Sequence, residues 1–280
     1  MNVRLLSLLC LGMSLTAAGE PQAWSWPKVV RMIIEDVKPG KEVAHQQNEF
    51  AWAKAYAEAK SPYHFLGMTP VFGGSQAWWA ASFISMAELE KSNALTEKDP
   101  SLKSKVDACA AKDGDYVTNF SMAAYALRPD LSRGPGAIAP RFYWIYTVRV
   151  RPGHDGEFDA LILALNGTYD RAGITARWGV YQAVAGTTNP TYMVVVPLRR
   201  LADVDTILAD EAKFAQTAGP EGLKSLARLT AESTGREEAV ILAVDPKLSY
   251  PDAEDLAMDP EFWKDWLPKA APKAKAPKAK

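Results

Sequence analysis

Cysteine and histidine are scarce in this chain of 280 residues, which has two of the first and three of the second. Cys10 lies in an N-terminal stretch that reads as a cleavable signal, so Cys109 is left alone and an internal disulfide is excluded. Three histidines are too few, and too scattered, for a zincin motif. No phosphate-binding loop or dinucleotide glycine fingerprint occurs, and Gly134-Pro135-Gly136 is turn chemistry. No Gly-x-Ser-x-Gly elbow occurs either; Gly73-Gly74-Ser75 reads as a hairpin turn. Charge of one sign is also missing. Lys and Arg total 32 against 33 acids, which leaves no nucleic-acid signature.

Long apolar runs are confined to the N-terminus. Arg4 precedes the run Leu5 to Leu15, and Thr16-Ala17-Ala18-Gly19 offers small residues for cleavage. The run is too short to span a bilayer as a helix. Residues 1–19 are therefore expected to be a signal peptide, and the protein is expected to be exported, to the periplasm or beyond. At the other end, residues 268–280 carry five lysines, three prolines and no acid. Such a tail cannot bury enough apolar surface to fold, and it suits either solubility or contact with an anionic envelope polymer.

Between these ends the chain is written twice. Val29 to Gly40 and Phe142 to Gly153 both read as a strand closed by a basic residue and Pro-Gly; Pro152 follows Pro39 at an offset of 113 (152 − 39). A helix then follows in each copy, at 41–60 and 155–172. Two strand-like runs come next, at 63–72 and 77–84 in the first copy and at 178–185 and 191–198 in the second. A helical stretch and a last strand complete each copy. Ala126 to Ser132 answers Ala243 to Ser249 through a shared Pro-x-Leu-Ser, at an offset of 117 (246 − 129). The order β-α-β-β-α-β, twice, predicts an α+β fold of two tandem ferredoxin-like units, at 26–134 and 141–250. A short helix with Phe262, Trp263 and Trp266 is expected to dock at 251–267.

This layout resembles the dimeric α/β-barrel superfamily, in which two ferredoxin-like units join their sheets into one barrel, here within one chain. It is also similar to secreted bacterial members with the same Lys/Ala/Pro tail. The resemblance implies that a monomer suffices to form the barrel. It implies a choice of activities, including haem-dependent or cofactor-independent monooxygenases, chlorite-dismutase-like haem proteins and lactone isomerases. Fold alone does not choose among them.

The two copies disagree on one helix face. Phe158, Leu161, Ile162, Leu165 and Tyr169 form one apolar stripe. The matching residues of the first copy are His45, Asn48, Glu49, Trp52 and Tyr56. His45 and Glu49 are i,i+4 neighbours, and a carboxylate beside an imidazole suits a general base or a metal ligand. His64, at the start of the next strand, could join them. The competing reading rotates the helix so that Val43, Gln46, Phe50, Ala53 and Ala57 face inward and His45 and Glu49 are solvated. On the strands, Trp78 and Trp79 must point to opposite sides of the sheet, one into the barrel and one under the helices. Arg31, Ile33 and Glu35 share a side, which is expected to be the lumen, where Arg31 and Glu35 could pair or orient a ligand.

Three readings follow. The first is a binding protein that holds a small, partly apolar ligand in the first copy, with the second copy as mostly packed core. The second is an enzyme, with His45 and Glu49 as catalytic groups (His45 being the axial ligand if haem is bound) and Asn48, Trp52, His64, Trp78, Trp79, Arg31 and Glu35 around the ligand. The third is a divalent metal held by His45, Glu49 and His64.

Overall fold

A computed structural model describes residues 25–134, 139–264 and 266. The expected signal at 1–19 and the tail at 268–280 lie outside the described residues. The first copy runs β1 (Val29–Val37), α1 (Glu42–Glu58), β2 (Leu66–Pro70), β3 (Gln76–Phe83), α2 (Met86–Lys98), α3 (Pro100–Tyr116) and β4 (Val117–Leu127). The second runs β5 (Phe142–Val150), α4 (Asp155–Ala172), β6 (Gly179–Ala185), β7 (Thr191–Leu198), α5 (Asp203–Ser233) and β8 (Thr234–Val244). Short helices α6 (Ala253–Met258) and α7 (Pro260–Trp263) close the described chain.

The β-α-β-β-α-β order holds in both copies. In the first, the helical stretch is cut at Asp99-Pro100, where Asp99 accepts from the amides of Ser101 and Leu102 and Pro100 opens α3. In the second, α5 is kinked at Gly219-Pro220 instead. The Pro-Gly turns after β1 and β5 place Gly40 and Gly153 at φ of 79° and 86°, a region that glycine enters at no steric cost. Both first strands bulge at the same point, between Asp36 and Val37 and between Arg149 and Val150.

All eight strands close into one barrel in the order β1-β3-β2-β8-β5-β7-β6-β4. The copies join twice, through β2 with β8 and through β4 with β6. The repeated Pro-x-Leu-Ser is the fastening at both seams. Leu131 and Leu248 are fully buried. Ser132 Oγ accepts from the amide of Val180 at 2.9 Å, and Ser249 Oγ accepts from the amide of Gly67 at 2.9 Å. Each serine also donates to the carbonyl four residues before it, that of Arg128 or Asp245. One residue further on, Arg133 pairs with Trp178 and Tyr250 pairs with Phe65 as isolated bridges. The end of each copy is thus hydrogen-bonded to the other copy's strand. A Cβ on Gly67 would sit 2.5 Å from the Leu248 carbonyl oxygen, so this seam requires glycine.

Side-chain direction along β1 decides where the site lies. Val30, Met32 and Ile34 point into the lumen and pack with Trp78, Tyr125, Tyr143, Tyr181 and Met193. Trp263 of α7 joins this cluster, and the Trp266 indole donates to the Ser249 carbonyl at 2.7 Å. Arg31, Ile33 and Glu35 therefore point outward, under the helices. This corrects the expectation that they line the lumen. The polar face of α1 and the polar face of β1 are the same layer of the protein, and the lumen is largely apolar.

Candidate functional site

Helix α1 turns its polar face inward. His45, Asn48 and Glu49 are buried, at 2%, 5% and 6% exposure, while Val43 and Phe50 of the competing apolar face are 69% and 47% exposed. The helix is rich in alanine, which favours helix on any face, so burial had to be decided by what the sheet offers. The sheet offers Glu35 and Trp79. His45 Nε2 lies 2.8 Å from Glu35 Oε2 and 4.0 Å from Glu49 Oε1, and its ring meets the edge of Trp79 with centroids 6.0 Å apart.

A second tier supports this cluster. Asn48 Nδ2 donates to the Cys109 carbonyl at 3.0 Å and to Asp113 Oδ1 at 2.6 Å. Burial, together with the nearby carboxylates of Asp113 and Glu35, raises the Glu49 carboxyl to about 9. Asp113 is raised too, first by burial and then by Glu35. Both shifts favour the protonated forms of these two carboxyls. Burial also pushes the Cys109 thiol up, which argues against a nucleophile there.

The cluster forms one end of a cavity of about 230 Å³ between α1 and the sheet. Trp52, Tyr56, Tyr63, Phe65, Trp79 and Phe83 supply aromatic walls. Arg31, Glu35, Glu49 and His64 supply polar lining. Arg31 donates through Nη1 to Asn93 Oδ1 at 2.7 Å, and burial lowers its pKa. Its Nε has no partner, and neither do Glu49 Oε1 and His64 Nδ1, although all three atoms are buried. Buried polar atoms are nearly always satisfied in proteins, so three orphans around one cavity are unusual.

The sequence-derived set is thus partly assembled. His45, Glu49, Asn48, Trp52, His64, Trp79, Arg31 and Glu35 surround this layer. Trp78 does not; it points into the lumen, as the alternation of the pair requires. Arg31 and Glu35 do not pair: Arg31 takes Asn93 and Glu35 takes His45. His64 stacks on Tyr250, centroids 4.5 Å apart, and the three groups close enough to share a cation are Glu35, His45 and Glu49, with His64 outside that set. Sequence reasoning missed Asp113 and Asn93, which come from α3 and α2 by long-range packing. It named Glu35 but set it in the lumen; asking which side of β1 would meet a polar helix places it correctly.

The second copy is not merely core. A cavity of about 680 Å³ lies between α4, α5 and the sheet, lined by Trp144, Tyr146, Leu165, Tyr169 and Trp178 among others. Its lining contains no histidine, cysteine or methionine. A haem held by His45 does not fit the first copy either. The cavity, at about 230 Å³, is below the roughly 300–1,000 Å³ of ordinary ligand pockets and too small for a macrocycle.

Solved structures share this architecture. A monooxygenase-like protein from Fusobacterium nucleatum superposes with a TM-score of 0.51 at 11% identity, over 78% of this chain and 92% of its own. The fold is the dimeric α/β barrel, in tandem form. An anthrone oxidase-like protein (TM-score 0.49, 14% identity, 79% of this chain and 92% of its own) and a mutant chlorite dismutase from Candidatus Nitrospira defluvii (0.47, 7%, 80% and 94%) are more distant. At these identities the barrel likeness speaks for fold alone. No protein-family model and no curated protein sequence matches the chain. Among the described residues, no helix is long and apolar enough to cross a membrane.

Proposed function

We propose that the first-copy cavity binds a small organic acid with an apolar body. The observation that carries this reading is the set of unpartnered buried atoms around it, Arg31 Nε above all. A half-buried guanidinium with a buried, free Nε–H is suited to a carboxylate, and the aromatic walls are suited to the remainder of such a molecule. Benzoate is a fitting probe, followed through the tryptophan indole resonances. Saturable binding should shift Trp52 and Trp79 and leave Trp144 and Trp178 unmoved. Arg31→Met should weaken it at least about tenfold, the loss of one charged hydrogen bond. No saturable binding, or equal affinity in Arg31→Met, sinks the reading. The same proposal keeps the protein outside the cytoplasm, on the strength of the signal-like residues 1–19; N-terminal sequencing of the protein from cell fractions tests that.

A second reading is favoured by the state of Glu49. Glu49, whose protonated form burial favours, stands beside the hydrogen-bonded His45–Glu35 pair, which puts a proton donor next to an acceptor at the end of the cavity. That suits proton transfer to and from a bound carbon acid, the step that isomerases and cofactor-independent monooxygenases of this fold would share. Solvent deuterium exchange into phenylpyruvate, lost in His45→Gln, would support it. Exchange at the uncatalysed rate would rule it out.

A further inference from the structure

We propose that Glu35, His45 and Glu49 form a centre for one divalent transition-metal ion at the inner end of the first-copy cavity. One ligand atom from each residue lies within 4.8 Å of the others, and all three residues are buried. Ligands about 2.0–2.2 Å from a common ion stand roughly 3 to 4 Å apart. The 2.8 Å and 4.0 Å separations from His45 Nε2 therefore need only small side-chain adjustments around an ion.

The donor set selects the kind of metal. Two carboxylates and one imidazole suit manganese, ferrous iron, cobalt or zinc better than calcium, which prefers an all-oxygen shell. Glu49 Oε1, buried and without a partner, is a donor aimed at this space. A cation would satisfy it. The surroundings are those of a supported centre. Asn48 fixes Asp113 beside Glu49, and Trp79 packs on the His45 ring. The frame comes from a strand and a helix, not from loops. Glu35 and Glu49 also line the cavity, so the centre stands at its wall.

The metal centre and the acid-binding reading share a cavity but use different residues. The acid rests on Arg31; the metal rests on Glu35, His45 and Glu49. Their failures are therefore distinguishable. If a metal sits there, His45 and Glu49 are ligands and the proton-transfer reading gives way, while the acid still rests on Arg31.

The test uses the untagged protein, stripped with EDTA and titrated with Co²⁺ while visible d–d absorption is followed, with Zn²⁺ as competitor. One equivalent should bind and be displaced by one equivalent of Zn²⁺. Glu35→Gln, His45→Gln and Glu49→Gln should each weaken binding by about 100-fold or more. Glu49→Gln is isosteric and should stay folded by circular dichroism, so a loss there reads as lost ligation. Arg31→Met and His64→Gln should bind no more weakly than the parent. Sub-stoichiometric uptake, the absence of d–d bands, or affinity unchanged in Glu49→Gln and Glu35→Gln would overturn the proposal.

Discussion

Helices α1 and α4 occupy equivalent places on the two halves of the barrel, and they meet the sheet with opposite chemistry. Phe158, Leu161 and Ile162 face Val148 in the second copy, whereas His45, Asn48 and Glu49 face Glu35 in the first. Burying an apolar side chain of that size stabilises by about 1.5–3 kcal/mol, and burying a polar one without a full set of partners costs about 1–3 kcal/mol. The first copy forgoes the gain and accepts the cost at neighbouring positions. The Ser132 and Ser249 seams show that both copies can satisfy their polar groups where nothing but structure is at stake. Unsatisfied atoms occur in the second copy too, on Asn166, Arg177 and Trp178, so what sets the first copy apart is that its orphaned Glu49 oxygen belongs to a buried group of ionisable side chains.

The comparison can be broken at several points. Phe158 packs at a tilt on Tyr192, ring centroids 4.4 Å apart, and is fully buried, so Phe158→Ala should cost about 3–5 kcal/mol in denaturant unfolding. His45→Ala, at the matching position, should cost much less; equal losses would mean that both residues are there for packing. Gly67→Ala should lower stability by several kcal/mol, because its Cβ meets the Leu248 backbone, although the equivalent residue of the second copy is Val180. A mild Gly67→Ala would show that the two seams are looser than their hydrogen bonds suggest.

Smaller effects sharpen the same contrast. Ser249→Ala and Ser132→Ala each strand an amide, and each should cost about 1–2 kcal/mol, Ser249 more because it is the more buried. The smallest effect is one of pH. Arg128 bonds Asp130 and Asp159 where the first copy hands over to α4, while Asp245 accepts from neutral Gln46 at the other seam. The hydrogen bond from Arg128 holds the Asp130 carboxyl below its usual range. Its contribution is present above the unfolded pKa and is lost as pH falls through the lower folded pKa. Asp130 is largely exposed, so the loss should be below about 1 kcal/mol, and Asp130→Asn should remove it from acid-unfolding curves.

Much of this contrast is legible in the sequence. The Pro-Gly and Pro-x-Leu-Ser punctuation located the copies, because turns and seams constrain sequence tightly. The stripe of α4 was legible because apolar periodicity reports burial directly. The inward face of α1 was not, since alanines leave its rotation free and only Glu35 and Trp79 fix it. The side of β1 is not legible, because strand alternation says which residues share a face but not which face is inside. Asp113 and Asn93 reach the site through helices distant in sequence, and no local pattern announces them. The large second-copy cavity was hidden for a related reason: apolar linings look the same in sequence whether they close on one another or not.

The central claim is that the first copy carries its polar cluster for function and at the expense of stability. Its most direct test replaces that cluster with the second copy's own residues, Glu35→Val, His45→Phe, Asn48→Leu and Glu49→Ile together, and compares thermal unfolding of the metal-free proteins. The exchanged protein should melt at a higher temperature than the parent. If it melts lower, the cluster is a structural network that the fold needs, and the claim is wrong.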